Sequence, residues 1–263
     1  MKNIRANRFT IQNNFIAIYC SVGFTIRMIL FITSFQALDF SILNTVKIFG
    51  LGLMYDFGTA VFFILPYNFY LLLFPSKKVG SNLDKIITYV ILFFTIFITV
   101  FSFLAEFPFW AEFNTRFNFI AVDYLMYTYE VFENINQSYP LPILIISLLL
   151  ITGLFFLYFT KTKKFLVVFS DRLPFKKRAS YSLLLGFIGL FYIMFITNKI
   201  AEYGKNLYVK ELSKNGVYSF FAAFRSNELD YDTFYEQLPE AHAFSLIKKK
   251  TLNNLIKPMS PVK

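Results

Sequence analysis

Five long runs of apolar residues, spread over the first 197 positions, set the limits on what this chain can fold into. A helix needs about 20 largely apolar residues to cross a hydrocarbon core roughly 30 Å thick, since each residue advances the axis by only about 1.5 Å. The runs at 15–35, 48–74, 86–104, 141–159 and 181–197 meet or approach that length. Within hydrocarbon a backbone must satisfy its own hydrogen bonds, so such runs are helical. The expected fold class is all-α: a polytopic membrane protein with five transmembrane helices. Composition agrees, because only 16% of the residues are charged, where a soluble domain keeps about a quarter. The first run is interrupted by Arg27 and followed by no small-x-small site, so it reads as a retained span and not as a cleaved signal peptide.

The loop charges predict an orientation. Lys and Arg number 26 against 16 Asp and Glu. A basic excess on a soluble domain can signal nucleic acid, but here it sits in short loops between apolar runs, and nucleic acid is not an expected partner. Lys2, Arg5 and Arg8 precede the first run. Lys77, Lys78 and Lys85 follow the second against Asp84. Seven cations from Lys161 to Arg178 follow the fourth against Asp171. The opposite side carries Asp39 and Lys47, then Arg116 against Glu106, Glu112, Asp123, Glu130 and Glu133. The positive-inside rule then puts the N-terminus inside and the C-terminus outside. The expected organisation is a transmembrane domain over 1–197 with an interfacial outer loop at 105–140. An extracytoplasmic helical junction at 198–240 and a Lys-rich linker at 241–263 follow.

Two places draw attention as sites. Arg27 and Asp56 lie at similar depth in adjacent antiparallel spans, and charge in lipid is costly unless paired. The expectation is an intramembrane ion pair locking the first two helices, with Gly50, Gly52 and Gly58 of GLGLMYDFG allowing close approach. The other reading of these two residues is a polar notch for a lipid phosphate. In the outer loop, Asp123, Tyr127, Glu130, Asn134 and Gln137 fall at helical spacings of four and three. That pattern predicts an interfacial helix with one wet stripe, on which Asp123 and Glu130 are candidates for a headgroup or cation contact. Their two-turn separation is wide for a shared metal. Asp230-Tyr231-Asp232 and the lone His242 stand without spaced partners, and the single cysteine, Cys20, excludes an internal disulfide or a Cys-based zinc site. No nucleophile elbow, phosphate loop or zinc-protease motif occurs, so no catalytic residue and no cofactor is assigned to this chain.

Three stretches, GLGLMYDFG at 50–58, RFNFIAVDYLMYTYEVFENINQSYP at 116–140 and KNGVYSFFAAFRSNELDYDTFY at 214–235, are together similar to the N-terminal membrane half of lipoteichoic-acid-synthase-like proteins, notably the Gram-negative branch labelled sulfatase. The resemblance spans about residues 13–240. It implies a bacterial-type plasma (inner) membrane location and a membrane-anchoring role. The anchor would place an extracytoplasmic domain of the alkaline phosphatase/sulfatase superfamily near a phosphatidylglycerol-type lipid. In such domains a threonine nucleophile and a divalent metal, typically Mn²⁺, transfer phosphoglycerol; the cation lowers the nucleophile's pKa and neutralises phosphoryl oxygens. That catalytic domain is not among these residues, so the expectation is a membrane module that is either truncated or acts with a separately encoded catalytic domain. Beside this reading stand a stand-alone membrane interaction protein and a small lipid or ion transporter, the latter weakened by the lack of an inverted repeat.

Overall fold

The computed structural model describes residues 7–127, 129, 133, 137 and 140–225. The chain divides into two units, 1–225 and 226–263, and the architecture below is that of the first. Its helices are α1 (Thr10–Thr33), α2 (Ile42–Leu73), α3 (Asn82–Phe113), α4 (Phe119–Met126), α5 (Leu141–Lys161), α6 (Lys164–Ser170), α7 (Phe175–Phe195), α8 (Leu207–Ser213) and α9 (Gly216–Arg225). Short 3-10 turns occupy Phe35–Ala37, Ser76–Lys78 and Asn198–Ala201. Five of the helices, α1, α2, α3, α5 and α7, are long and apolar enough to cross a membrane. The fold is that of a polytopic all-α protein.

The helices do not end where the apolar runs end. Helix α2 starts well before residue 48, because Ser41 caps it by accepting from the Asn44 N–H at 3.0 Å. Ser81 likewise caps α3 through the Asp84 N–H at 3.3 Å. Caps fix where a helix begins, and hydropathy does not see them. At its far end α3 continues through Glu106 and Pro108 to Phe113, where Asn114 closes it in the left-handed region at φ 54°. The first part of the expected 105–140 loop is therefore the last turns of a spanning helix.

Helix α2 is the hub, packing on α1, α3, α7 and α8. Its buried face, with Ile48, Ile64 and Leu71, meets Tyr19 of α1 and Leu92 and Ile96 of α3 in one apolar core. Helix α5 sits at the edge against α3 and α6, burying only Leu148, Thr152 and Phe159. Ile146 and Leu150 of α5 face outward, as do Leu183 and Phe187 of α7. Lipid tails are as apolar as these groups, so such a surface costs nothing in a bilayer.

The helices run alternately, which gathers their ends into two clusters. At the basic end, Arg8 donates from Nη1 and Nη2 to both oxygens of Asp84, at 3.1 and 2.9 Å, and both side chains are fully buried. The same carboxylate accepts from the Gly80 N–H at 2.8 Å and from the Tyr70 hydroxyl, while the Arg8 N–H reaches Asp171 at 2.9 Å. Arg178 donates to the carbonyls of Leu71 and Phe74, completing the C-terminal turn of α2. Arg8 and Asp84 carry loop charges in the sequence pattern; in the fold they tie the residues just before α1 to the first turn of α3, and they cancel.

Candidate functional site

At the other end of the bundle a buried charge network joins the membrane helices to the segment that follows α7. Arg27 lies on the inward stripe of α1 with Tyr19, Gly23, Ile26 and Leu30, a set that recurs at helical spacing. Its Nη2 donates to Asp56 of α2, at 2.8 Å to Oδ1 and 2.9 Å to Oδ2, and each residue is 1% exposed. Gly52, one turn before Asp56, makes the room: a Cβ there would overlap the Arg27 guanidinium. The other glycines of GLGLMYDFG have different surroundings, since Gly58 faces the Tyr192 ring and Gly50 faces open space.

The pair is half of a larger arrangement. Arg27 Nη1 donates to the carbonyls of Leu212 and, at 2.8 Å, Lys214, at the C-terminal end of α8. Carbonyls of a last helical turn have no partner within the helix, and here a guanidinium supplies one. Asp56 Oδ1 also accepts from Asn215 Nδ2 at 2.8 Å. The Asn215 amide oxygen accepts from the Tyr218 N–H at 2.9 Å, so one side chain caps α9 and ties it to α2.

A second set completes the junction. Glu106 of α3 pairs with Arg116 through Oε2, and its Oε1 accepts from the Gly216 N–H, the first of α9, at 3.1 Å. A Cβ on Gly216 would run into that carboxylate. The Arg116 N–H donates to Glu211 Oε2 at 3.0 Å, and Glu211 Oε1 holds Lys214 Nζ at 2.8 Å. Arg27, Arg116 and Lys214 thus balance Asp56, Glu106 and Glu211. Charge balance together with hydrogen bonding is the condition under which buried ions are tolerated. Further ties run from Asn206 Nδ2 to the Ala37 carbonyl at 2.9 Å and from the Tyr55 hydroxyl to the Thr197 carbonyl at 2.6 Å. Outside the spans, burial pushes the Tyr218 phenol above its ordinary pKa, and Arg225 beside it pulls the other way.

Both oxygens of Asp56 and both of Glu106 accept from donors of this chain, which ties the two carboxylates to the junction. Among the described residues no three His, Cys, Asp or Glu side chains are placed to hold a metal ion. Asp123 lies half-buried in α4, and α4 closes at Met126 with Tyr127 as its C-cap. The stripe expected from Asp123 to Gln137 runs past the end of α4, and its members Glu130 and Asn134 lie outside the described residues. Glu130, Asp230, Asp232 and His242 lie outside the described residues.

The sequence pattern does not single out Asn215 or the Glu106–Arg116–Glu211 set as a site. One signal for them exists: Glu106 is a lone carboxylate within the aromatic run FSFLAEFPFW, where an unpaired charge would be expensive. Compared with protein-family models, with curated proteins and with solved structures, the chain matches none.

Proposed function

We propose that this bundle is a rigid membrane mount that fixes the segment following its fifth span in one position, with the basic end inside and the junction end outside, as the positive-inside rule has it. The observation that carries this reading is the buried network at 211–216. A flexible tether would leave the backbone of that segment to water. Here the carbonyls of Leu212 and Lys214 and the N–H of Gly216 are each bonded to a buried ionised side chain from α1 or α3. Such bonds are worth more than neutral ones and fix geometry as well as distance.

The similarity of residues 50–58, 116–140 and 214–235 to the membrane half of lipoteichoic-acid-synthase-like proteins supports naming what is mounted. It is an extracytoplasmic phosphoglycerol-transferase-type domain, metal-dependent and not contained in these 263 residues, held near phosphatidylglycerol-type lipid. A transport reading finds less support, because Arg27 and Asp56 face each other and the junction backbone. The test is release of phosphoglycerol from fluorescent phosphatidylglycerol in Mn²⁺ buffer, with the purified chain alone and with the polypeptide encoded next to it. Turnover in the mixture only is the expected result. No turnover in either refutes the enzyme-mounting role, and turnover by the chain alone refutes its lack of a reaction centre.

A further inference from the structure

A cavity of about 370 Å³ lies between α2, α7 and α9. Phe62 and Phe63 of α2, Ile193 of α7 and Phe221 of α9 form its walls. The two hydroxyls among its lining groups are already committed, Thr59 to the Tyr55 carbonyl at 2.8 Å and Tyr218 to the Ile196 carbonyl. A space with apolar walls and satisfied polar groups offers water too few partners to stay. Ile193 and Phe221 are 50% and 56% exposed, so the space opens onto the apolar outer surface of the bundle. The volume is about a dozen times the roughly 30 Å³ of one water molecule, room for part of an acyl chain.

One lining residue differs in kind. Arg225, the last residue of α9, borders the cavity, and among the described residues no carboxylate pairs with it. A guanidinium at the edge of a hydrocarbon-sized slot matches a phosphate that carries an acyl chain, because its planar fork binds phosphate oxygens in pairs. We propose that this cavity is a binding site for one acyl chain of an anionic glycerophospholipid whose phosphate is held by Arg225. The site is preformed, because α9 is pinned at its start by Glu106 and Asn215. It rests on the chain lying in a bilayer and not on what the bundle mounts.

The experiment uses the full chain in nanodiscs with phosphatidylglycerol carrying a photoreactive diazirine on its acyl chain. Labelled peptides are mapped by mass spectrometry, and unlabelled phosphatidylglycerol or phosphatidylcholine is the competitor. Labelling concentrated on peptides containing Phe62, Ile193 and Phe221, displaced better by phosphatidylglycerol, is the expected result. Arg225→Gln should reduce that preference roughly tenfold, the size of a charge-assisted contact, while chain labelling persists. Ile193→Trp, which fills the slot from its half-exposed rim, should abolish the labelling. Both variants should unfold at the wild-type temperature. Labelling spread evenly over the outward faces of α5 and α7 would overturn the proposal, as would an unlabelled slot, meaning that another part of the chain fills it. So would an unchanged preference in Arg225→Gln. None of these outcomes bears on phosphoglycerol release, so the two readings fail separately.

Discussion

Replacing Asp56 with leucine would leave the Arg27 guanidinium buried with two backbone carbonyls and no counter-charge, and Asn215 Nδ2 without its 2.8 Å acceptor. Removing one member of a buried pair costs about 3–5 kcal/mol. Replacing Arg27 with leucine leaves Asp56 with Asn215 as its remaining donor and strips the carbonyls of Leu212 and Lys214, so a loss of similar size, again about 3–5 kcal/mol, is expected. In the double variant no charge is stranded. What is lost is the set of bonds to the junction, at about 1 kcal/mol each for three bonds, so roughly 3 kcal/mol in all. Independent effects would sum to roughly 6–10 kcal/mol, and the double variant should fall short of that sum by about 3 kcal/mol or more. Unfolding of the purified protein in mixed micelles of rising dodecyl sulfate content, followed by helical ellipticity, measures all three. A double variant as damaged as the sum of the singles would refute the pairing as the source of stability.

The glycine pair Gly52 and Gly50 gives a contrast within one helix. Gly52→Ala puts a methyl into the Arg27 guanidinium and should cost about 1–3 kcal/mol, whereas Gly50→Ala meets open space and should be neutral or stabilising by up to about 1 kcal/mol, both read by the same unfolding assay. Asn215→Ala removes the α9 cap at about 1 kcal/mol and one donor to Asp56; limited proteolysis should then cut near 214–218 while α1 to α7 stay protected. Gly216→Ala, driven into Glu106, should expose the same sites. At the basic end, Asp84→Leu strands Arg8 and should cost about 3–5 kcal/mol, but leave proteolysis at the junction unchanged.

The spans were legible because hydrophobic length is a physical requirement of the bilayer, and Arg27 and Asp56 were legible as a candidate pair because each is a lone charge in such a run. Helix ends were less so. Ser41 and Ser81 act through a single capping bond each, and Glu106 and Pro108 look like the exit from a helix that in fact continues to Phe113. The junction was hidden for another reason. Asn215, Glu211 and Arg116 are ordinary polar residues in ordinary polar segments, and what makes them a site is where α8 and α9 are placed in space. Arg8 and Asp84 misled in the same way, since a loop charge and a buried tie have the same letter.

The choice of ions over apolar contacts at the junction follows from the solvent. Between helices in lipid there is no hydrophobic drive, because the tails outside are as apolar as the side chains inside. A short segment such as α8 and α9 brings one helix C-terminus and one helix N-terminus against the bundle, each with backbone groups that no helix satisfies. Water would normally take them, and among buried helices it cannot. Arg27 meets the carbonyls of Leu212 and Lys214, Glu106 meets the N–H of Gly216, and Asn215 meets that of Tyr218. Each of those side chains is itself buried, so each requires a partner, and Asp56 and Arg116 supply them. The buried charges on α1, α2 and α3 are thus the consequence of seating two helix termini in a nearly dry place. That cost makes sense only if the position of the seated segment matters.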